Sequence, residues 1–204
     1  MVNLFFFKMS IKINSQKYKI IKELGKGAFG NVYQVLNKKT NEYYAIKKIL
    51  IKDLNEEQME AVQNEAKILS NIKSDYIVKY YDSFKDIDSF NILMEYCEKD
   101  LKKYINEYKN KKELIDENII YNIVLELCLG IKEIHKKNLL HRDLKPENIF
   151  ISKDNKIKIG DFGISKELDV QNKYAYTTIG TYAYMAPEII NGEKYNNKVD
   201  IWGL

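Results

Sequence analysis

At 204 residues, with 45% hydrophobic and 30% charged side chains, the chain has room for one large domain or two small lobes and the composition of an ordinary globular protein. Its net charge of +4, from 33 basic against 29 acidic residues, is spread along the sequence and gives no reason to expect a nucleic-acid or membrane partner. Two cysteines, Cys97 and Cys128, are too few for a disulfide framework, and no Cys/His cluster has zinc spacing, so a reducing, cytoplasmic setting is expected. The apolar run in Met1–Lys8 is too short for a signal peptide and lacks a basic leader and a cleavage site. Residues 1–17 therefore read as a tail, and nothing approaches the length of a membrane span.

From Tyr18 the pattern predicts strands. Tyr18–Leu24 leads into Gly25-Lys26-Gly27-Ala28-Phe29-Gly30, then Asn31–Leu36, a polar turn at Asn37–Asn41, and Glu42–Ile51. A helix would follow the last glycine of a dinucleotide-binding fingerprint, but the β-branched and aromatic Val32-Tyr33-Gln34-Val35 predicts strand-turn-strand. A hairpin tip with little side-chain bulk can lay its N–H groups over phosphates, and Gly25 and Gly27 would keep that approach open. Lys47 shares a strand face with the small Ala45, as a phosphate ligand beneath such a lid or as a plain edge-strand lysine.

Residues 55–72 predict a helix, with Asn55 as N-cap and Glu56 and Glu57 in the first turn. Met59, Val62, Ala66, Leu69 and Ile72 form its apolar stripe, and Glu65 lies along it. A carboxylate on a buried face is costly unless paired, and Lys47 is the expected partner. Ile77–Asp82 and Phe90–Tyr96 read as strands. The pattern breaks at Cys97-Glu98-Lys99-Asp100, the expected boundary between lobes at 18–97 and 98–204. A helix begins at Leu101–Tyr108, Lys109–Glu113 reads as a charged loop, and a long helix spans about Asp116 to His135, with His135 a packed histidine.

The next stretch, His141-Arg142-Asp143-Leu144-Lys145-Pro146-Glu147-Asn148, concentrates cations, carboxylates and an amide between two apolar elements. Ile149–Ser152 and Ile157-Lys158-Ile159 then form a second hairpin ending at Gly160-Asp161-Phe162-Gly163. Asp143 and Asp161 on neighbouring strand-end loops, with Asn148 between them in sequence, make an all-oxygen site suited to Mg²⁺ and not to zinc.

Gly25-x-Gly27-x-x-Gly30-x-Val32, Ala45-Ile46-Lys47, Glu65, His141-Arg142-Asp143 with Asn148, Asp161-Phe162-Gly163 and Ala186-Pro187-Glu188 occur in one order. With them the chain resembles the eukaryotic protein kinase family from about Tyr18 to Leu204. The resemblance implies an α+β, bilobal fold: a small antiparallel-sheet lobe with one key helix and a mainly helical lobe, incomplete at the C-terminus. It also implies a serine/threonine protein kinase using ATP with Mg²⁺ (or Mn²⁺) on protein substrates, or alternatively a truncated ATP-binding module without turnover.

On this resemblance Gly25, Lys26, Gly27, Gly30 and Val32 would cover the phosphates, and Lys47, paired to Glu65, would hold them. Asp161 and Asn148 would hold the metal, Asp143 would accept the substrate proton, and Lys145 would neutralise the transferring group. Adenine would lie between Val32 and Ala45 above and Phe150 below, its edge on the backbone of Glu95 and Cys97 behind Met94. Thr177 and Thr178 would be phosphorylated opposite Arg142, and Asp200 would brace the His141–Asn148 loop. Lys145 after Asp143, with Gly180-Thr181 before Ala186, looks like the serine/threonine branch. Lys158–Lys166 and Tyr76–Phe84 look like NIMA-related kinases.

Overall fold

The computed structural model describes residues 17–27, 30–161 and 182–204. Three apolar runs separated by glycine-rich or polar turns form strands β1 (Tyr18–Gly27), β2 (Gly30–Asn37) and β3 (Tyr43–Leu50). Asn37 builds the β2–β3 turn: its Oδ1 accepts the Lys39 N–H at 2.9 Å, and Asn41 takes the left-handed φ of +58° that asparagine tolerates. Helix α1 (Glu56–Ser70) starts on a reciprocal capping box. In it the Gln58 N–H donates to Asn55 Oδ1 at 2.8 Å, and the Asn55 N–H donates to Gln58 Oε1 at 3.0 Å. Strands β4 (Tyr80–Lys85) and β5 (Ser89–Glu95) complete an antiparallel sheet of order β1-β2-β3-β5-β4. Lys47 is thus on an interior strand, not an edge.

The fourth strand begins three residues later than its apolar run suggests. Ile77 and Val78 are drawn to a second sheet instead, where the Val78 N–H donates to Ile159 O at 2.8 Å and the Ile159 N–H donates to Tyr76 O at 2.9 Å. That sheet contains β6 (Lys99–Asp100), β7 (Ile149–Ile151) and β8 (Ile157–Ile159), antiparallel and in that order. Between β6 and β7 run α2 (Leu101–Lys111) and α3 (Glu117–His135). Asp100 caps α2 by accepting the Lys103 N–H, and Asp116 caps α3 by accepting the Asn118 N–H. Helix α2 continues into the stretch read as a charged loop, because Lys109 and Lys111 suit the negative end of the helix dipole. Lys112, at φ +56°, ends it. Two short helices follow, α4 (Pro187–Ile190) and α5 (Lys198–Trp202).

The α+β class expected from the sequence is the one found: a sheet with one helix, then a mainly helical part. Val62, Ala66, Ile49, Phe90 and Ile92 pack α1 onto one face of the large sheet, and Tyr33, Val35, Ile46 and Leu93 pack the other. A third cluster joins Leu127, Ile131 and Ile134 of α3 to Ile149, Ile157 and Ile159 of the small sheet, and reaches Leu69 and Ile77. This cluster carries the first sheet on the second.

Gly130 makes the junction close. A β-carbon there would stand 2.8 Å from Ile159 Cδ1 and 3.0 Å from the Tyr76 carbonyl oxygen. Gly130→Leu should therefore overpack the junction by about 1–3 kcal/mol. Thermal unfolding should register this as a midpoint several degrees lower.

Candidate active site

The pleat of the large sheet gathers the first group of residues. Val32 is paired with Lys47, and Ala45 with Met94; Ala45 and Lys47 are two apart on one strand. All four side chains consequently share the face that α1 covers. Helix α1 also carries Glu65, whose side chain lies outside the described residues, as does the expected Lys47–Glu65 pair. The Lys47 ammonium donates to Asp161 Oδ1 at 2.8 Å, so strand β3 and the end of β8 meet across the cleft. Beside this contact Val78, Tyr80, Ile92, Met94 and Gly160 line a narrow apolar recess.

The glycines of the β1–β2 hairpin differ in what surrounds them. Among the described residues a β-carbon on Gly25 would meet nothing within 4 Å, whereas on Gly30 it would stand 1.8 Å from the Lys48 carbonyl oxygen. Gly30 is demanded by the sheet itself. Lys26 is exposed on β1, 4.0 Å from Glu23. Ala28 and Phe29, at the tip, lie outside the described residues.

The loop His141–Asn148 is organised on a buried carboxylate from α5. Asp200, 1% exposed, accepts the His141 N–H at 3.0 Å on Oδ2 and the Arg142 N–H at 2.7 Å on Oδ1; His135 Nε2 lies 2.8 Å from Oδ2. Pinned in this way, Arg142 adopts φ +65° and aims its guanidinium over the Tyr195 ring, 5.5 Å from the centroid. Asp143 then presents its carboxylate to Lys145 Nζ and Asn148 Nδ2, both donating to Oδ2 at 3.0 Å. Asn148 Nδ2 also donates to the Asp143 carbonyl at 2.8 Å, which turns the amide oxygen of this buried side chain away from Asp143. Glu147 bonds Lys102 of α2, so the loop is held on that side too.

His141 ties this loop to the next. Its ring is fully buried, with Nδ1 accepting the Asp143 N–H at 3.2 Å and Nε2 against the Gly160 carbonyl at 3.0 Å. An acceptor at Nδ1 and a donor at Nε2 select the neutral Nε2–H tautomer. Burial accordingly pushes the imidazole below its ordinary value, although Gly160 O and the surrounding carboxylates pull the other way. The Gly160 N–H donates to the Asn148 carbonyl at 3.0 Å, a second tie. A β-carbon on Gly160 would collide with Val78 Cγ2 at 2.7 Å and with the Phe150 ring at 2.8 Å, so only glycine lets β8 pass between them. Asp161 follows at φ +53°. The Lys47 ammonium holds its carboxyl below the usual carboxylate range, outweighing the opposing desolvation.

The Asn148 amide and the Asp161 carboxylate are hard oxygen donors of the kind Mg²⁺ takes from a protein when phosphates and water complete its shell. Among the described residues no group of three or more His, Cys, Asp or Glu side chains forms a closed metal cage. At the other end of the cleft β5 finishes at Glu95, and Cys97 follows as a thiol that burial pushes up to about 12, an unreactive neutral group. Phe162, Gly163, Thr177 and Thr178 lie outside the described residues.

The protein kinase domain family matches residues 18–204. The chain belongs to the protein kinase family. Among its relatives, mouse serine/threonine-protein kinase Nek1 is 38% identical over 190 residues, covering 93% of this chain and 16% of the relative. The probable serine/threonine-protein kinase nek2 of Dictyostelium discoideum is 37% identical over 194 residues, 92% of this chain and 46% of its own length. Human serine/threonine-protein kinase Nek11 is 40% identical over 194 residues, 93% of this chain and 30% of its own. The chain thus spans less than half the length of these curated relatives. The likeness to NIMA-related kinases read from Lys158–Lys166 and Tyr76–Phe84 agrees with these names.

Three kinase residues were not legible as partners. His135 reads as core filling, yet it bonds Asp200; its position at the last turn of a long apolar helix, followed by a polar loop, was the available signal. Tyr195 has no sequence mark linking it to Arg142. Lys158, a charge inside Ile157-Lys158-Ile159, is a visible anomaly whose partner only the fold supplies.

The His141 tautomer has a measurable consequence. Its folded value lies below the unfolded value of about 6.5. Its contribution to stability is therefore full above that pH and falls away as the pH drops toward the folded value. Imidazole nitrogen spectra at about pH 6 should show one ring still neutral and protonated on Nε2, where an unperturbed histidine is mostly charged.

Proposed function

We propose that this chain is the catalytic domain of a serine/threonine protein kinase that transfers the γ-phosphoryl group of ATP to protein hydroxyls. The observation that carries the reading is the Asp143 carboxylate. It is held by Lys145 and Asn148 at 3.0 Å on a loop whose backbone is fixed by Asp200 and which His141 ties to Gly160, the residue before the Lys47-paired Asp161. Residues 18–97 would act as the nucleotide-covering lobe and 98–204 as the lobe that receives substrate, with 1–17 as a tail.

Such a transfer needs positioning and charge stabilisation more than covalent chemistry. Asp143, with its orientation set by Asn148, accepts the proton of the acceptor hydroxyl; Lys145, already beside it, offsets charge on the group in flight. Asn148 and Asp161 would hold Mg²⁺, or Mn²⁺ in its place; bound there, the metal neutralises charge on the phosphate oxygens. Lys47, Gly25, Lys26, Gly27 and Gly30 cradle the phosphates, with Glu65 as the second partner of Lys47. Val32, Ala45, Met94 and Phe150 enclose the adenine, whose edge meets the backbone of Glu95 and Cys97. Arg142 receives phosphorylated Thr177 or Thr178. The substrates are proteins with Ser/Thr acceptors rather than nucleic acid or lipid. The setting is the cytoplasm, whose reducing conditions suit the free thiols of Cys97 and Cys128.

Incubation with labelled ATP, Mg²⁺ and a generic Ser/Thr protein substrate tests the reading. Asp143→Asn should lower the transfer rate about 10²–10⁴-fold at unchanged ATP affinity. Equal background from both chains would leave an ATP-binding module in place of an enzyme. In the same assay Thr177→Ala should reduce activity, and unchanged turnover in the full-length protein would remove Thr177 from the regulatory role.

A further inference from the structure

The charge inside β8 is not absorbed by that mechanism. Ile157, Lys158 and Ile159 are all buried, and an ammonium in such a strand is costly unless a carboxylate meets it. Lys158 Nζ lies 3.0 Å from Glu95 Oε2, with side-chain exposures of only 11% and 21%. The carboxylate is itself fixed, since Oε2 accepts the Lys79 N–H at 3.1 Å while the Glu95 N–H donates to Lys79 O at 2.8 Å. Lys158 is paired with Phe150 across β7 and β8, so the two side chains share a face. Two residues beyond Lys158, Gly160 is clamped between Val78 and Phe150, and the next residue, Asp161, meets Lys47.

One ion pair therefore crosses from the last residue of β5, at the adenine edge of the cleft, to the strand that delivers Asp161 at its phosphate end. We propose that Glu95 and Lys158 are a positioning pair that sets the separation between these two ends of the nucleotide site; this rests on the nucleotide reading above. Neither side chain need touch the nucleotide. A nucleoside diphosphate spans both ends at once, and its affinity depends on their spacing as that of any two-point ligand does. Adenosine engages one end only and is insensitive to it. A pair that served stability alone would affect both ligands equally.

The test compares calorimetric affinities of Mg²⁺-ADP and of adenosine for the wild-type chain, Lys158→Met and Lys158→Arg. Lys158→Met should weaken Mg²⁺-ADP about tenfold and adenosine less than about twofold, and Lys158→Arg should restore most of the loss. Equal weakening of both ligands, or no weakening of either, overturns the proposal. If Lys158→Met does not give a native circular dichroism spectrum, Lys158→Gln, which keeps a hydrogen-bond donor and removes the charge, carries the same comparison with the same outcomes. A wild-type chain that binds neither ligand overturns the nucleotide reading and this proposal with it. A wild-type chain that binds both, with a Lys158→Met chain that binds them equally well, overturns this proposal alone.

Discussion

The site hangs from one buried carboxylate. Asp200 has left water almost completely, and such a charge persists only where donors replace its hydration. Two backbone N–H groups and one imidazole nitrogen do so, in charge-assisted bonds of 2.7–3.0 Å. Those bonds also specify the backbone. The N–H groups of His141 and Arg142 can both reach one carboxylate only if the chain turns sharply there, which puts Arg142 in the left-handed region. Asp143 points where it does because Asp200 decides how the two preceding residues lie.

From that anchor the coupling runs outward through short contacts. The His141 ring receives the Asp143 N–H on one side and meets the Gly160 carbonyl on the other, while the Gly160 N–H reaches Asn148. The two acid-bearing loops are therefore joined directly by two hydrogen bonds. Arg142 and Asp161 both hold positive φ, a conformation costing about 1–3 kcal/mol for a residue with a side chain. Strain of this kind survives only where neighbours over-determine the backbone, and here Asp200 does so for Arg142.

Much of this was legible in the residues. Strand periodicity placed Ala45 and Lys47 on one face, and Asp116 and the Ile/Leu spacing fixed α3 to within a residue or two. The motif set from Gly25 to Glu188 carried the family. The misreadings have local causes. Ile77 and Val78 look like the start of a strand because they are apolar, but their partner is Ile159, 82 and 81 residues away, and pattern cannot choose between two sheets. Lys109–Lys111 look like loop because charge was weighed above helix dipole. His135, Lys158 and Tyr195 each act through a partner distant in sequence, and no short-range signal names that partner.

The glycine hairpin shows that one motif can answer to two masters. Gly30 has the Lys48 carbonyl where a β-carbon would go, so it is required whether or not any ligand is ever bound. Among the described residues nothing stands within 4 Å of where a β-carbon on Gly25 would go. Natural variants at the two positions should therefore part company in a cell. Changes at Gly25 would accumulate as abundant, well-folded chains. Changes at Gly30 would be recognised as misfolded and cleared, and their phenotype would be one of missing protein.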